Sequence, residues 1–155
     1  MTERVARLCE TDWQLFAAVR MRALADSLGE NDPSYQDEAA FTAAQWRRRL
    51  RDHTQFVALL GDRPVGLIAA QQENAETVYL YSLWLEPAVR GRGLSKQLVA
   101  AALDWARSSN VHTVRLRVAS DNAGARQVYE SIGFTVADDQ TTSVADELAM
   151  SLSVS

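Results

Sequence analysis

The segment from Thr77 to Leu85 is largely apolar on both faces of the strand that it would form. Side chains alternate between the two faces of a β-strand, so the nine residues divide into two sets. One set comprises Tyr79, Tyr81, Leu83 and Leu85, and the other comprises Val78, Leu80, Ser82 and Trp84. A strand with two apolar faces is covered on both sides, and we therefore expect this segment at the centre of a sheet.

Two shorter apolar runs precede this strand. They cover Phe56 to Leu60 and Val65 to Ala70, and the turn residues Gly61 to Pro64 separate them. A polar segment, 71–76, then leads into the central strand. Alternating apolar runs that are joined by short polar turns predict an antiparallel meander of three strands.

Helical periodicity lies on both sides of the meander. A capping-box pattern that begins at Thr11 predicts a helix over about 12–27, and a second such pattern at Thr42 predicts a shorter helix. Residues 29–34 between them have the composition of a turn.

The C-terminal half alternates helices with strands. The predicted elements are a helix over about 93–108, a strand through Val114, Leu116 and Val118, a helix capped by Asp121 or Asn122, and two strands at Phe134 to Ala137 and Leu148 to Val154. A strand, a helix and a further strand in succession imply a parallel crossover. We therefore expect residues 1–155 to form one α+β domain, with a mixed, mostly antiparallel sheet of six to seven strands and about four helices.

Composition excludes several functional classes. Twenty acidic against 16 basic residues leave a net charge of −4, which disfavours nucleic acid as a partner. The longest apolar run, Leu98 to Leu103, is far shorter than the roughly 20 residues of a membrane span. One cysteine and two distant histidines indicate neither a metal site nor an internal disulfide, and we expect Cys9 to be buried. With no leader-like N-terminus, the expected location is cytoplasmic.

A glycine-containing loop, Arg90 to Ser95, joins the central strand to a predicted helix. Glycines allow backbone to approach a ligand closely, and the first-turn N–H groups of a helix have no partner within the helix. The sequence Arg90-Gly91-Arg92-Gly93 therefore suits a diphosphate, although a tight turn before a helix would have the same composition. Neither the P-loop nor the dinucleotide fingerprint is present.

A second motif lies 29 positions beyond Gly93, in the segment Asn122 to Phe134, which contains Tyr129 and ends in Gly133-Phe134. Together with Leu80 to Ser95, this segment resembles the GNAT superfamily of acetyl-CoA-dependent N-acetyltransferases. The resemblance implies transfer of an acetyl group from acetyl-CoA directly to a primary amine.

The resemblance also implies which residues contact acetyl-CoA. Backbone groups of the central strand would pair with the pantetheine arm, where this strand and the following parallel strand splay apart. The loop would hold the diphosphate, and Asn122 would hydrogen-bond the pantetheine arm. The implied cofactor-binding residues are Leu83, Trp84, Leu85, Arg90, Gly91, Arg92, Gly93, Leu94, Ser95, Asn122, Arg126 and Tyr129.

Tyr129 is the implied general acid, which would protonate the leaving thiolate. The general base is open, because Tyr79 stands where many relatives have a glutamate. Glu86 is one possible base, and Tyr79 or Tyr81 could act through a water relay. The absent glutamate also leaves an alternative function, a non-catalytic acyl-CoA-binding or sensor module.

The acceptor amine is not specified by any motif. Acidic residues in two loops could attract a cationic amine or could be ordinary solvated side chains: Glu30, Asp32, Asp37, Glu38, Asp138, Asp139, Asp146 and Glu147. The run Arg47-Arg48-Arg49 is interpreted as a solvated helix face. Exposed edge strands at the C-terminus permit a homodimer without requiring one.

Overall fold

The computed structural model describes residues 2–136 and 147–154, which form one seven-stranded sheet with helices on both faces. The strands are β1 (Glu3–Arg7), β2 (Thr54–Leu60), β3 (Arg63–Gln72), β4 (Thr77–Leu85), β5 (Thr113–Ala119), β6 (Thr135–Val136) and β7 (Glu147–Ser153). The helices are α1 (Trp13–Ser27), α2 (Pro33–Ala39), α3 (Ala43–Asp52), α4 (Leu94–Ser108) and α5 (Ala123–Ile132).

The strand order is β1-β2-β3-β4-β5-β7-β6, and β4–β5 is the parallel pair in an otherwise antiparallel sheet. The predicted fold class is therefore confirmed, with β4 at the centre. The predicted acidic loop residues Asp138, Asp139 and Asp146, and Ala137 of the predicted sixth strand, lie outside the described residues.

Two apolar layers hold the helices on the sheet. Helices α4 and α5 pack on one face around Leu98, Val114 and Phe134. Helices α1 and α3 pack on the other face around Phe16 and Trp46, whose rings meet edge to face at 5.5 Å. The sheet is thus covered on both faces, as the apolar character of β4 requires.

The N-terminal segment differs from its prediction in three details. Its capping interaction lies two residues earlier than predicted, because the Cys9 backbone N–H donates to Asp12 Oδ2 over 2.9 Å and a 3-10 turn precedes α1. Cys9 is exposed, so its predicted burial was wrong. Helix α2 was missed within a segment of turn composition, since Asp32 caps it by accepting from Ser34 N (2.8 Å) and Pro33 occupies its first turn.

The capping box at Thr42 is confirmed. Thr42 Oγ1 accepts from the Gln45 backbone N–H at 3.2 Å, and Gln45 Oε1 accepts from the Thr42 backbone N–H at 2.8 Å. Helix α3 therefore begins where predicted, and it ends at Asp52, next to β2.

The predicted alternation along β4 fails after Tyr81. Leu67 of β3 pairs with Trp84 and Ala69 pairs with Tyr81, so β4 contains one more residue than β3 in this interval. This β-bulge reverses the faces of the following side chains. Trp84 consequently packs in the α1–α3 layer and Leu85 in the α4–α5 layer, opposite to the prediction.

Candidate active site

A wedge-shaped gap opens between the two parallel strands. Their pairing covers Thr77–Tyr79 of β4 and Thr113–Arg115 of β5, whereas β5 pairs with β7 along its full length. Beyond the paired residues lies a cavity of about 250 Å³, hereafter the wedge cavity. Its lining includes Tyr81, Ser82, Leu83, Arg117, Asn122 and Tyr129. The predicted splaying of the two strands is therefore confirmed.

Ser82 forms the bulge at the edge of this cavity. Its φ of +60° is left-handed, which costs free energy for any residue other than glycine and persists only where surrounding contacts hold it. Arg20 Nη1 of α1 donates to Ser82 Oγ at 3.2 Å. The bulge breaks the regular alternation of β4 between the tyrosines and the loop Arg90 to Ser95, hereafter the cofactor loop after its predicted role. Helix α1 contacts the bulge through Arg20.

The loop from Arg90 to Ser95 has the backbone shape that the diphosphate hypothesis requires. Gly91 and Gly93 have φ values of +85° and +83°, and a Cβ atom placed on either would meet no atom within 4 Å. Helix α4 follows directly, and its N-cap, Gly93, supplies no side-chain acceptor for the first-turn N–H groups. The loop thus presents open backbone in front of a helix N-terminus.

A second cavity of about 610 Å³, hereafter the loop cavity, adjoins the wedge cavity. Leu83, Asn122 and Ala125 line both cavities, so the two form one groove. The predicted cofactor-binding residues that line it are Leu83, Trp84, Leu85, Arg90, Gly91, Ser95, Asn122 and Tyr129.

Four predicted residues are absent from the lining of these two cavities. Leu94 is fully buried in the α4 core, and Gly93 lies in the loop between lining residues. Arg92 Nη1 lies 3.9 Å from Glu3 Oε2. Arg126 Nε lies 3.6 Å from Glu130 Oε2 on the same helix.

The Arg90 side chain has protein partners already. Its Nε donates to the Leu85 carbonyl at 3.0 Å, and its Nη2 donates to Asp26 Oδ2 at 3.2 Å. Trp84 Nε1 donates to the same carboxylate oxygen at 2.8 Å. Asp26 of α1 therefore ties the cofactor loop to the end of β4, a contact that sequence analysis missed.

Asn122 and Tyr129 reach the groove from α5. Asn122 Oδ1 caps the helix by accepting from the Ala125 backbone N–H at 3.1 Å. Tyr129 is 7% exposed, and its ring meets Phe134 edge to face at 5.8 Å. Burial, with a smaller effect of Tyr79, raises the pKa of Tyr129 to about 12. The phenol is therefore protonated at neutral pH, as a general acid must be.

Tyr79 and Tyr81 lie on the α1–α3 side of β4. Their rings stack at 5.9 Å, and the Tyr81 hydroxyl contacts His53 Nδ1. Burial raises the pKa of Tyr79, while the charge of Arg117 opposes that change. Arg117 Nη1 is buried and has no hydrogen-bond partner within residues 2–136 and 147–154, so it is a free donor at the wedge cavity.

Glu86 lies between two guanidinium groups. Arg63 and Arg22 each bind one of its two carboxylate oxygens. The hydrogen bond from Arg63, with the charges of both arginines, holds the pKa of Glu86 below its usual range against the opposing effect of burial. Glu86 does not line the wedge cavity or the loop cavity.

A buried ion pair lies beneath the α1–α3 layer. Glu38 of α2 is 8% exposed and accepts from Arg20 Nε at 3.0 Å, Arg20 Nη2 at 3.2 Å and Arg49 Nη1 at 3.5 Å. The interpretation of Glu38 as a solvated loop residue, and of Arg49 as part of a solvated face, was therefore wrong. Both side chains turn inward because α1, α2 and α3 converge there.

Besides Glu38, several polar residues that approach the site from this side were not predicted: Arg20, His53, Gln55 and Arg117. Gln55 offered the one readable signal, since it stands in the otherwise apolar strand β2 and is 2% exposed. The other partners lie 18 to 62 positions apart in the sequence, and no local pattern connects them.

Within the described part of the chain, no three His, Cys, Asp or Glu side chains are grouped so as to hold a metal ion. No helix among the same residues is both long and apolar enough to traverse a bilayer.

Comparison with known proteins gives consistent matches. A model of the acetyltransferase (GNAT) family matches residues 19–134. A mycothiol acetyltransferase from Nocardioides sp. is 45% identical over 68 residues, which are 44% of this chain and 23% of that protein. An uncharacterized N-acetyltransferase from Methanocaldococcus jannaschii is 27% identical over 96 residues, 58% of this chain and 42% of that protein. This chain thus spans less than half the length of either relative.

Among solved structures, yncA from Salmonella typhimurium, determined with its cofactor acetyl-CoA, superimposes with a TM-score of 0.74. The match covers 100% of this chain and 95% of that chain at 18% sequence identity, and it shows a shared fold.

Proposed function

Because the chain belongs to the acetyltransferase (GNAT) family, we propose that it transfers an acetyl group from acetyl-CoA directly to a primary amine, without a covalent enzyme intermediate. The acceptor is a small amine, an amino acid, or an amine of a peptide or protein. A homodimer and a cytoplasmic location stay predictions.

One observation carries this proposal. The open backbone of the cofactor loop, the wedge between β4 and β5, and the Tyr129 side chain all belong to one continuous groove. A diphosphate site at one end and a protonated phenol at the other suit a long thioester substrate, whose anionic part and reacting carbon are far apart. A nucleotide site alone would not require the wedge or Tyr129.

The groove residues fit acetyl-CoA chemically. The first-turn N–H groups of α4 suit diphosphate oxygens. Arg117 Nη1, which has no hydrogen-bond partner in the part of the chain that the structure describes, is a donor of the kind that an amide or thioester carbonyl accepts. The β4 backbone beyond Tyr79 is free of β5, so its N–H and C=O groups can bind an extended pantetheine arm as an added strand would.

Acetyl-CoA would supply an activated acyl carbon and a thiolate leaving group. Tyr129 would donate its phenolic proton to the sulfur as the C–S bond breaks, an effect typically worth 10²- to 10⁴-fold in rate. Its pKa of about 12 keeps the phenol protonated at neutral pH, so the proton is available when the C–S bond breaks. Asn122 lies about two helical turns before Tyr129 and would orient the pantetheine arm toward it.

The acceptor amine must lose a proton as its nitrogen is acylated. Tyr79 and Tyr81 are better placed for this step than Glu86, because Tyr81 lines the wedge cavity and the Tyr79 ring stacks on it, whereas Glu86 lines neither cavity. Both Glu86 oxygens already accept from arginines, which makes that carboxylate a weaker proton acceptor. We therefore assign Glu86 a structural role and keep Tyr79 as a water-relay candidate.

The first experiment is a calorimetric titration of the protein with acetyl-CoA, with ADP as the control ligand. We expect micromolar affinity for acetyl-CoA and at least about tenfold weaker binding of ADP, a difference of roughly 1.4 kcal/mol. Release of free thiol should then be measured with a panel of butylamine, alanine, lysine and a short peptide with a free N-terminus.

The titration and the panel separate the alternatives. Thiol release that depends on an amine, with the acetylated amine identified by mass spectrometry, supports the proposal. Tight binding of acetyl-CoA without turnover on any panel amine would instead favour the sensor module. Equal affinity for ADP and acetyl-CoA would contradict the pantetheine wedge.

A further inference from the structure

The Tyr81 hydroxyl has a second neighbour that the proposed chemistry leaves unused. His53 follows the last residue of α3, and its backbone N–H donates to the Arg49 carbonyl at 3.0 Å, which fixes its position at the start of β2. Its ring meets the Tyr81 ring edge to face at 5.6 Å, with Nδ1 directed at the phenolic oxygen. The imidazole is therefore held against the one tyrosine that lines the wedge cavity from β4.

We propose that His53 is the proton acceptor behind Tyr81, so that the acceptor amine loses its proton through a Tyr81–His53 relay. This inference rests on the proposed function, since it supplies the general base that the acetyl transfer needs. His53 acts through Tyr81 and is a positioning residue for the reaction, because the phenol alone faces the wedge.

The protonation states of the pair agree with this direction of transfer. Burial raises the pKa of Tyr81 to about 12, so its hydroxyl is a donor at neutral pH. Burial and the nearby charge of Arg49 lower the pKa of His53, and Asp52 opposes them only in part. The imidazole is then neutral, with a lone pair on Nδ1 when the other ring nitrogen bears the hydrogen.

Charged groups around the pair come from several elements. Helix α3 contributes Arg48, Arg49 and Asp52 beside His53, whereas Arg20 of α1 and Glu38 of α2 act on Tyr81. Gln55 of β2 hydrogen-bonds the Tyr81 hydroxyl and favours its anionic form. Arg49, Arg20 and Gln55 lower the pKa of Tyr81 and so partly oppose the larger effect of burial.

His53 also provides an exit for the proton. Besides contacting Tyr81, it lines a separate cavity of about 220 Å³ together with Phe41, Gln45, Arg48, Arg49 and Asp52. The ring thus lies between the wedge and a second opening on the α3 side. A proton accepted at Nδ1 can be balanced by release of the Nε2 proton to water in that opening.

The complete step balances. As the amine nitrogen bonds to the acyl carbon, an N–H bond breaks and its proton joins the Tyr81 oxygen. The original Tyr81 proton passes to His53 Nδ1, and the imidazolium releases a proton to solvent. The C–S bond breaks, the sulfur takes the proton of Tyr129, and solvent reprotonates Tyr129.

The test compares the wild-type protein with His53→Gln, using acetyl-CoA and the best amine of the panel above. The amide of Gln can hydrogen-bond Tyr81 but cannot accept a proton. We expect the ratio of wild-type to variant kcat/KM, in which the titration of the amine cancels, to be near one at low pH. It should rise to about 100 as pH increases through the His53 pKa.

His112→Gln is the matched control, because it removes the chain's other histidine, an exposed one, from the start of β5. It should follow the wild-type profile at every pH. A His53→Gln profile parallel to that of the wild type would overturn the relay, because a structural role would lower the rate equally at all pH values. Absence of turnover in the wild type on every panel amine would instead count against the proposed function itself.

A second measurement covers the case in which His53→Gln does not fold. The pKa of His53 in the wild-type protein, measured by NMR of the imidazole, must equal the pKa of the acidic limb of kcat/KM after correction for the amine, because kcat/KM reports ionisations of the free enzyme. Disagreement between the two values would also overturn the relay.

Discussion

The two sides of the candidate site are built in different ways. The proposed cofactor side, from the loop at Arg90 to Tyr129 on α5, consists of backbone shape, helix termini and a few side chains. The proposed acceptor side consists of polar side chains from α1, α2, α3 and β4 that meet only in the folded chain, such as the ion pairs of Glu38 and the His53–Tyr81 contact.

This difference matches a difference in chemical task. The diphosphate and the thioester of acetyl-CoA are the same in every protein that binds this molecule. Backbone N–H groups and one phenol therefore suffice for the proposed binding and protonation. An acceptor site has to recognise one amine among many, and long-range side-chain contacts can be altered without disturbing the cofactor loop. Substitutions on the two sides should therefore change different measured quantities.

The largest effect should follow Gly93→Glu on the cofactor side. Gly93 has φ +83° in front of α4, where the new side chain would place bulk and negative charge beside the diphosphate site. Affinity for acetyl-CoA should fall more than about 1,000-fold, roughly 4 kcal/mol, as measured by calorimetry.

Gly29→Glu is the control for backbone strain. Gly29 has φ +89° and equally open surroundings, but it lies after α1. Both variants should lose about 1 to 2 kcal/mol of folding stability, because both force a non-glycine residue into a left-handed conformation. Only Gly93→Glu should lose acetyl-CoA; equal affinity in both would remove the loop from the site.

Tyr129→Phe should have the next largest effect, and on turnover alone. The hydroxyl acts as the leaving thiolate develops, so kcat should fall about 100-fold while the dissociation constant of acetyl-CoA changes little. Tyr129 acts in its protonated form and its pKa is about 12, so ionisation of the wild-type phenol should cause no loss of rate across the neutral pH range. Rapid-quench kinetics and calorimetry together measure the two quantities.

The control for this variant is Tyr35→Phe on α2, a half-buried tyrosine that lines neither the wedge cavity nor the loop cavity. It should leave both kcat and affinity unchanged. If Tyr129→Phe lowers affinity as much as turnover, Tyr129 is a binding residue and the acid must be sought elsewhere.

The local structure on the proposed cofactor side was predictable because its sequence signals are local. The loop glycines, the Asn122 cap and the apolar β4 segment each act within about ten residues, so they can be read from the chain directly. The β2–β3–β4 meander and the parallel β4–β5 crossover follow from the same periodicities. The contribution of these residues to binding and catalysis stays a prediction.

The acceptor side was not predictable to the same extent, for two physical reasons. The bulge at Ser82 inserts one residue into β4, and a period-two pattern does not reveal such an insertion. Arg20, whose side chain contacts Ser82, lies 62 positions away in the sequence. The Asp32-Pro33 pair has turn composition, but the same residue types also begin helices. Packing against α1 and α3 determines that this segment forms the helix α2.

Glu38→Gln should sharpen the comparison from the acceptor side. It neutralises the carboxylate that Arg20 and Arg49 share, leaving two partly buried guanidinium groups without a charged partner. The free energy of unfolding should fall by about 2 kcal/mol in urea denaturation. The KM of the acceptor should rise because α1 and α3 shift, whereas affinity for acetyl-CoA should stay as in the wild type.

Glu10→Gln is the matched control, since Glu10 pairs with Arg51 of the same helix α3 at 3.2 Å but both side chains are about half exposed. Exposed ion pairs contribute little, so its loss of stability should stay below about 1 kcal/mol. A Glu38→Gln variant that weakens acetyl-CoA binding would show that the two sides are coupled, contrary to the comparison.

The smallest effect, and the finest test of the comparison, is expected of Asn122→Ala. The Asn122 side chain caps α5, so the variant should lose about 1 kcal/mol of folding stability. Asn122 also lines both cavities, so the variant should bind acetyl-CoA a few-fold more weakly. Thr42→Ala removes an equivalent cap from α3 and should cost a similar amount of stability with no change in affinity. Thermal unfolding and calorimetry on both variants separate the two roles. If the two caps prove indistinguishable in acetyl-CoA affinity, Asn122 serves the helix alone, and the cofactor side is built from backbone and Tyr129 without it.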